Sequence, residues 1–236
     1  MSLWDRCLWE LGFAVCHQNP HRLLRFGDGA LFVCSRDTGI YISFFTMLLL
    51  LSLVRGRDRA GMPPLPLLVL GAAGVLFLLW DGLTSYLGWR ESDNLLRFLS
   101  GYAAGAGCAF PAAALVNREV FHGDRDRRVG AGMRGLLPAG SAGLLALFLY
   151  LWRPEALFRV GQFWLLVCML GTFWSLNLLL VCLVKPVDGD GKLVIRAGAA
   201  AFLALLELAG SYGLHGVLQH GGPGLPALLW IFPWFS

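Results

Sequence analysis

The chain has 236 residues, 57% of them hydrophobic and 14% charged, with a formal net charge of +4 and a mean hydropathy of +0.64. Soluble domains carry about 25% charged residues. This chain has too few charges to coat a globule of its size, and its nine Trp and sixteen Phe suit lipid and lipid interfaces, so a soluble enzyme, a disordered chain and an ordinary nucleic-acid module are excluded.

The predicted class is all-α, a polytopic helical membrane protein forming one integral membrane domain over residues 1–236, with about six transmembrane helices and an N-terminal interfacial helix. Residues 1–37 read as an interfacial and polar segment, 38–222 as a six-helix bundle and 223–236 as an apolar interfacial tail. In Ser2–Val15, Leu3, Trp4, Cys7, Leu8 and Leu11 recur at helical spacing. Asp5, Arg6 and Glu10, with no basic start or small-residue cleavage site, argue against a signal peptide. A span needs roughly 17–25 mostly apolar residues. Six segments qualify or nearly so: about Gly39–Val54, Leu65–Trp80, Leu96–Val116, Leu136–Trp152, Gly161–Val184 and Ala197–Leu218. The first two are short and must extend into their polar flanks. Arg55–Arg59 with Pro63 and Pro64 makes a loop, Asp124–Arg128 a charged turn, Arg153-Pro154-Glu155 a helix break and Pro186–Lys192 a flexible turn. In the third span, Gly101, Ala104, Gly105, Gly107, Ala109 and Ala113 suit close helix packing.

Six spans put alternate connections on opposite sides. Residues 55–64, 117–135 and 185–196 hold eleven Lys and Arg, and the other side holds eight over more residues. The positive-inside rule places the first group in the cytoplasm and both termini outside, in a multi-pass cell-membrane protein. Three polar features then share the outer face. These are Cys16-His17-Gln18, Cys34-Ser35-Arg36-Asp37-Thr38-Gly39-Ile40-Tyr41, and Asp81-Gly82 continuing to Arg90-Glu91-Ser92-Asp93-Asn94 and Arg97.

These segments resemble a prokaryotic family of predicted integral membrane proteins with a domain of unknown function. Its members share a Cys-His-Gln segment, a Cys-x-Arg-Cys-x-Gly-x-Tyr segment and an Asp-Gly…Arg-x-Ser-x-Asn-x-x-Arg segment. The likeness covers roughly residues 14 to 110. Asp37 stands where the family pattern has a second Cys. The resemblance implies a multi-span helical fold and no particular activity.

From their chemistry, Cys16, His17, Cys34 and Asp37 are metal-capable, and thiolate, imidazole and carboxylate together suit zinc. The alternatives are a Cys16–Cys34 disulfide, favoured by an oxidising outer face, and reduced packing cysteines. Cys7, Cys108, Cys168 and Cys182 lack ligand spacing and read as packing residues. Arg36, Arg90 and Arg97 offer planar forks for phosphate or carboxylate. Asp81 either pairs with Arg97 or Arg36, locking spans together, or is, with His17 as the alternative, the general base. Ser85, Ser92 and Asn94 are candidate substrate hydrogen-bonders, although Ser92 or Asp93 also suits a helix cap. Glu207 is the acidic residue deepest in a span and a functional candidate, or a partner for a neighbouring helix. Asn177 reads as a helix–helix bond, and His215 and His220 as solvated.

Three functions compete. One is a membrane enzyme, metal-assisted, acting on an anionic lipid-like or phosphate-bearing substrate. The second is a transporter or binding protein using Arg97, Asp81 and Glu207, against which stands the absence of an inverted repeat. The third is a structural subunit stapled by its cysteines. The lipid bilayer is the expected partner, and nucleic acid is not.

Overall fold

The structure, a computed structural model, describes residues 2–54, 57–184 and 190–220, with side chains described for 2–52, 57–132, 140–184 and 193–217. The expected apolar tail from Pro223 and most of the Pro186–Lys192 turn lie outside the described residues.

Helix α1 (Leu3–Phe13) begins in a reciprocal cap. The Ser2 hydroxyl accepts from the Asp5 N–H at 3.2 Å, and the Asp5 carboxylate accepts from the Ser2 N–H at 3.3 Å. The chain then enters an antiparallel hairpin, β1 (Leu23–Phe26) and β2 (Gly29–Cys34), turning at Gly27 with φ +56°. This stretch lies within the segment expected to be interfacial and polar, but it is largely core. Leu23, Leu24, Phe26, Leu31, Phe32 and Val33 are all buried. Consecutive buried residues in β2 mean that both of its faces are covered. The Gln18 amide ties α1 to β2, donating to the carbonyls of Trp9 at 2.7 Å and Phe32 at 2.9 Å.

Six longer helices follow: α2 (Ser35–Leu49), extended by a π-helical turn at Leu50–Val54, α3 (Leu65–Tyr86), α4 (Asn94–Glu119), α5 (Met133–Trp152), α6 (Phe158–Val184) and α7 (Asp190–His220). The first two do extend into polar sequence. α2 starts at Ser35, so Arg36 and Asp37 form its first turn, and α3 runs on past Asp81 to Tyr86. Among the described residues, four helices are long and apolar enough to cross a membrane: Leu65–Tyr86, Asn94–Glu119, Glu155–Val184 and Leu193–Val217. The apolar part of α5, Gly140–Trp152, is shorter, and α2 falls outside that set.

Helix α4 is the centre of the bundle, and its small residues are the reason. An added Cβ at Gly101 would sit 2.1 Å from the Arg36 carbonyl, and one at Gly39 2.4 Å from the Phe98 carbonyl. The α2 and α4 backbones therefore touch, as Gly-rich membrane interfaces allow. Ala109 and Ala113 are fully buried on the same helix. Gly101→Ala is expected to lower stability by about 1–3 kcal/mol through overpacking. Gly198→Ala, where an added Cβ meets nothing within 4 Å, should be neutral or stabilising. Thermal unfolding in detergent reads both, and equal melting temperatures for Gly101→Ala and the parent would refute the contact.

The ends of the bundle differ. At one, β3 (Arg59–Gly61) pairs in parallel with β4 (Asp124–Arg128), the stretch expected to be a charged turn. Asn117 reinforces the join by donating to the Arg59 carbonyl at 2.8 Å. The first turn of α2, the last turns of α3 and the start of α4 gather at the opposite end.

Candidate functional site

Asp81 organises that end. It is fully buried and accepts five hydrogen bonds. Arg36 donates to Oδ2 through Nε at 3.2 Å and through Nη2. Arg90 Nη2 donates to Oδ1 at 2.7 Å, the Ser92 hydroxyl to Oδ1 at 2.6 Å, and the Ser100 hydroxyl to Oδ2 at 3.2 Å. A buried carboxylate is tolerable only when its lone pairs are filled in this way. Two guanidinium groups share one carboxylate, so the cluster keeps net positive charge. Aromatic faces hold the cations in place: Arg90 lies 4.5 Å from the Trp80 ring centroid, and Arg22 and Arg36 lie 5.5 and 5.9 Å from that of Tyr86.

Beside this cluster lies a polar pocket of about 150 Å³. It is lined by Val15, Cys16, His17, Gln18, Asn19, Arg22, Cys34, Arg36, Asp37, Tyr86 and Arg97. Thus the three sequence motifs meet around one space. Arg97 is mostly buried and is held at long range by Ser85 at 3.4 Å and Asn94 at 3.5 Å. Among the described residues it makes no ion pair.

Cys16, Cys34 and Asp37 form the acidic and thiol side of the pocket. One ligand atom from each lies within 4.8 Å of the others. The Cys34 N–H donates to Cys16 Sγ at 3.2 Å, and the Cys34 thiol donates to Asp37 Oδ2, also at 3.2 Å. Asp37 occupies the first turn of α2, where the helix dipole favours an anion. Contact with the Cys16 thiol, then burial, then the Asp37 charge hold the Cys34 thiol well above its ordinary pKa.

The fourth expected ligand, His17, lines the same pocket but stands outside the group of three. The His17 ring packs edge-on against His215 of α7, with centroids 5.0 Å apart, and is not one of the three grouped ligands. Neighbouring residues project in different directions, and here Cys16 turns to Cys34 while Gln18 turns into the core. Burial, followed by the nearby His215 and Arg22, lowers the His17 pKa. His215 Nδ1 in turn lies 2.6 Å from the Phe13 carbonyl, joining the end of α7 to α1.

The other predicted residues have structural partners. Asn94 donates to the carbonyls of His21 at 3.0 Å and Leu23 at 3.4 Å, bracketing the hairpin to α4. Asp93 is the α4 cap, accepting from the Leu96 N–H at 2.7 Å. Glu207 does not line the pocket but accepts from Asn177 at 2.9 Å, between α7 and α6. Cys168 and Cys182 are buried as packing residues, whereas Cys7 and Cys108 are exposed. Sequence reading missed Gln18, Arg22, Tyr86 and Ser100. Of these only Gln18 and Arg22 had a signal, their place beside Cys16 and His17.

Comparison with known proteins matches the same stretch. Residues 16–110 fit the family model described as "Predicted membrane protein (DUF2085)". An uncharacterised protein of Methanothermobacter thermautotrophicus is 40% identical over 95 residues, which cover 40% of this chain and 81% of the relative. An uncharacterised protein of Methanocaldococcus jannaschii is 30% identical over 99 residues, 42% of this chain and 62% of that relative. No solved structure matches. The matched stretch contains the hairpin, α2, α3 and most of α4, and every residue of the pocket except Val15; the chain therefore belongs to the DUF2085 family of predicted membrane proteins.

Proposed function

We propose that the pocket is a metal-assisted site for an anionic group, opening on the outer face of a six-span cell-membrane protein with both termini outside. Cys16, Cys34 and Asp37 hold zinc as a three-ligand set, leaving a fourth position toward the pocket, the arrangement typical of catalytic rather than structural zinc. Arg97, Arg36 and Arg22 receive the phosphate or carboxylate of a lipid-like substrate. Asp81 keeps Arg36 and Arg90 in place and is too enclosed to be the base. The observation that carries this reading is the three ligand atoms lying within 4.8 Å beside Arg97, a cation with no ion-pair partner among the described residues.

Elemental analysis of the protein purified without chelators tests it. The expected result is one zinc per chain, lost in Cys34→Ser. The second reading is a structural staple, favoured by the closeness of the two sulfurs. It gives no metal and two fewer free thiols than the six cysteines of the chain. A binding protein or transporter reading would require anion binding without turnover. For sidedness, a cysteine placed at Gly123 should be labelled only by reagents that reach the cytoplasm, and labelling from outside would invert the topology.

A further inference from the structure

Glu207 is a carboxyl near the middle of a membrane helix, and the bundle leaves it uncovered. The apolar stretch of α7 runs from Leu193 to Val217, so about 15 Å of helix lies on the shorter side of Glu207 at 1.5 Å per residue. Its hydrogen bond among the described residues comes from the buried Asn177 amide, to Oε2 at 2.9 Å, and the residue is otherwise exposed. Ionisable side chains within spans face a bundle interior or a water-filled cavity, because hydrocarbon offers them no partner. Glu207 instead faces outward at the edge of the bundle.

The pair heads a groove. A cavity of about 490 Å³ runs between α6 and α7, lined by Leu180, Val184, Ile195, Ala199 and Leu203 among others. Leu180 and Val184 follow Asn177 by three and seven residues, and Leu203 and Ala199 precede Glu207 by four and eight, so pair and lining share one face of each helix. Leu180, Val184, Ile195 and Ala199 are exposed, and the groove opens on lipid. Arg196 stands at its inner end, about 16 Å from Glu207 along α7. The groove is therefore apolar along its length, basic at the inner end and acidic at mid-membrane.

A groove between two helices takes the ridge of a third. A second copy of this chain, related by a twofold axis along the membrane normal, would set Glu207 toward Glu207 and Arg196 toward Arg196, like charge on like. A helix with a base at mid-span answers the charge instead, and Arg196 confines that base to the Glu207 end. We infer that the α6–α7 groove receives a transmembrane helix of another protein carrying one lysine or arginine near the middle of its span, paired with Glu207. The inference does not depend on metal or anion binding in the outer pocket.

The test uses the full chain in phosphatidylcholine vesicles. Three synthetic leucine-rich helices of about 20 residues are compared, identical except for a central Lys, Leu or Glu, each with one photoactivatable diazirine leucine a turn from the centre. The Lys helix is expected to label Leu180 and Leu203 about tenfold more than the Leu helix does, one interhelical polar pair's worth of discrimination, with equal labelling of the remote exposed Leu70. Glu207→Gln keeps the side-chain size and an oxygen for Asn177. It should bring the Lys helix down to the level of the Leu helix at an unchanged melting temperature. Ala199→Phe should obstruct the groove with the carboxyl still in place and lower labelling by the Lys helix. Glu207→Lys should reverse the preference, so that the Glu helix labels best. Equal labelling by the Lys and Leu helices, or a Lys preference that survives Glu207→Gln, overturns the pairing. An added Cβ at Gly210, one turn beyond Glu207, meets nothing within 4 Å. Disulfide cross-linking of two Gly210→Cys chains to each other, lost on adding Glu207→Gln and undiminished by the Lys helix, would overturn it in favour of self-association.

Discussion

Asp81→Asn is expected to destabilise the protein by about 3–5 kcal/mol, the cost of removing one member of a buried ion pair. The asparagine keeps the size of the side chain but has one oxygen, so it can still accept from Ser92 or from Ser100, which donate to different oxygens of Asp81, and not from both. It removes the charge shared by Arg36 and Arg90, two guanidinium groups whose side chains are 13% and 28% exposed. Both would then be left with weak partners near the end of a membrane bundle. The loss should appear as a large fall in melting temperature in detergent, with Asp81→Glu intermediate because the charge remains but the geometry is displaced. Adding Arg36→Leu to Asp81→Asn should recover part of the loss, since one unpaired cation disappears. That recovery separates an electrostatic lock from a packing defect, which a second substitution would only deepen. An Asp81→Asn protein that melts with the parent would mean that the cluster contributes nothing to folding.

The convergence at this end was legible because charges in a mostly apolar chain have few places to go. Arg36, Asp81, Arg90 and Arg97 had to meet one another or meet water, and alternate sidedness put them on one face. The small residues of α4 likewise announced a close contact, although not that Gly101 would meet the Arg36 carbonyl. Local signals were weaker where tertiary packing decides. Phe26-Gly27-Asp28-Gly29 contains an Asp-Gly turn between apolar runs, a hairpin signal. The polar residues on either side, His17–Arg22 and Ser35–Asp37, mask that signal. The pairing of β3 with β4 joins residues 59–61 to 124–128 across two helices, and nothing in two short Arg-rich stretches specifies that. The roles of Ser92 and Asp93 were ambiguous by composition alone. The structure divides them, Ser92 to Asp81 and Asp93 to the α4 cap. His17 shows the converse limit. Its chemistry suited a ligand, but its direction is set by Cys16 and Gln18 on either side and by His215, nearly two hundred residues away in sequence.

The ligand set yields the second large effect. Cys16→Ser and Cys34→Ser should each weaken zinc binding by more than about 100-fold, beyond the 10–100-fold that supporting outer residues command. Asp37→Cys should keep the metal or bind it more tightly, because thiolate is the softer zinc ligand and position 37 already directs a ligand atom at both sulfurs. His17→Ala should leave the metal content unchanged, since its ring is engaged with His215. Competition with a chromogenic chelator measures all four variants against the parent. A disulfide staple predicts a different order. In that case Cys16→Ser and Cys34→Ser would behave alike, losing stability with no metal to lose, and Asp37→Cys would add one free thiol without affecting the metal content. The two accounts therefore part at Asp37, where a carboxylate is a ligand in one and a bystander in the other. Zinc retained in Asp37→Ala at parental affinity would remove this residue from the site and leave two sulfurs, too few to hold a metal without help from the opposite wall of the pocket.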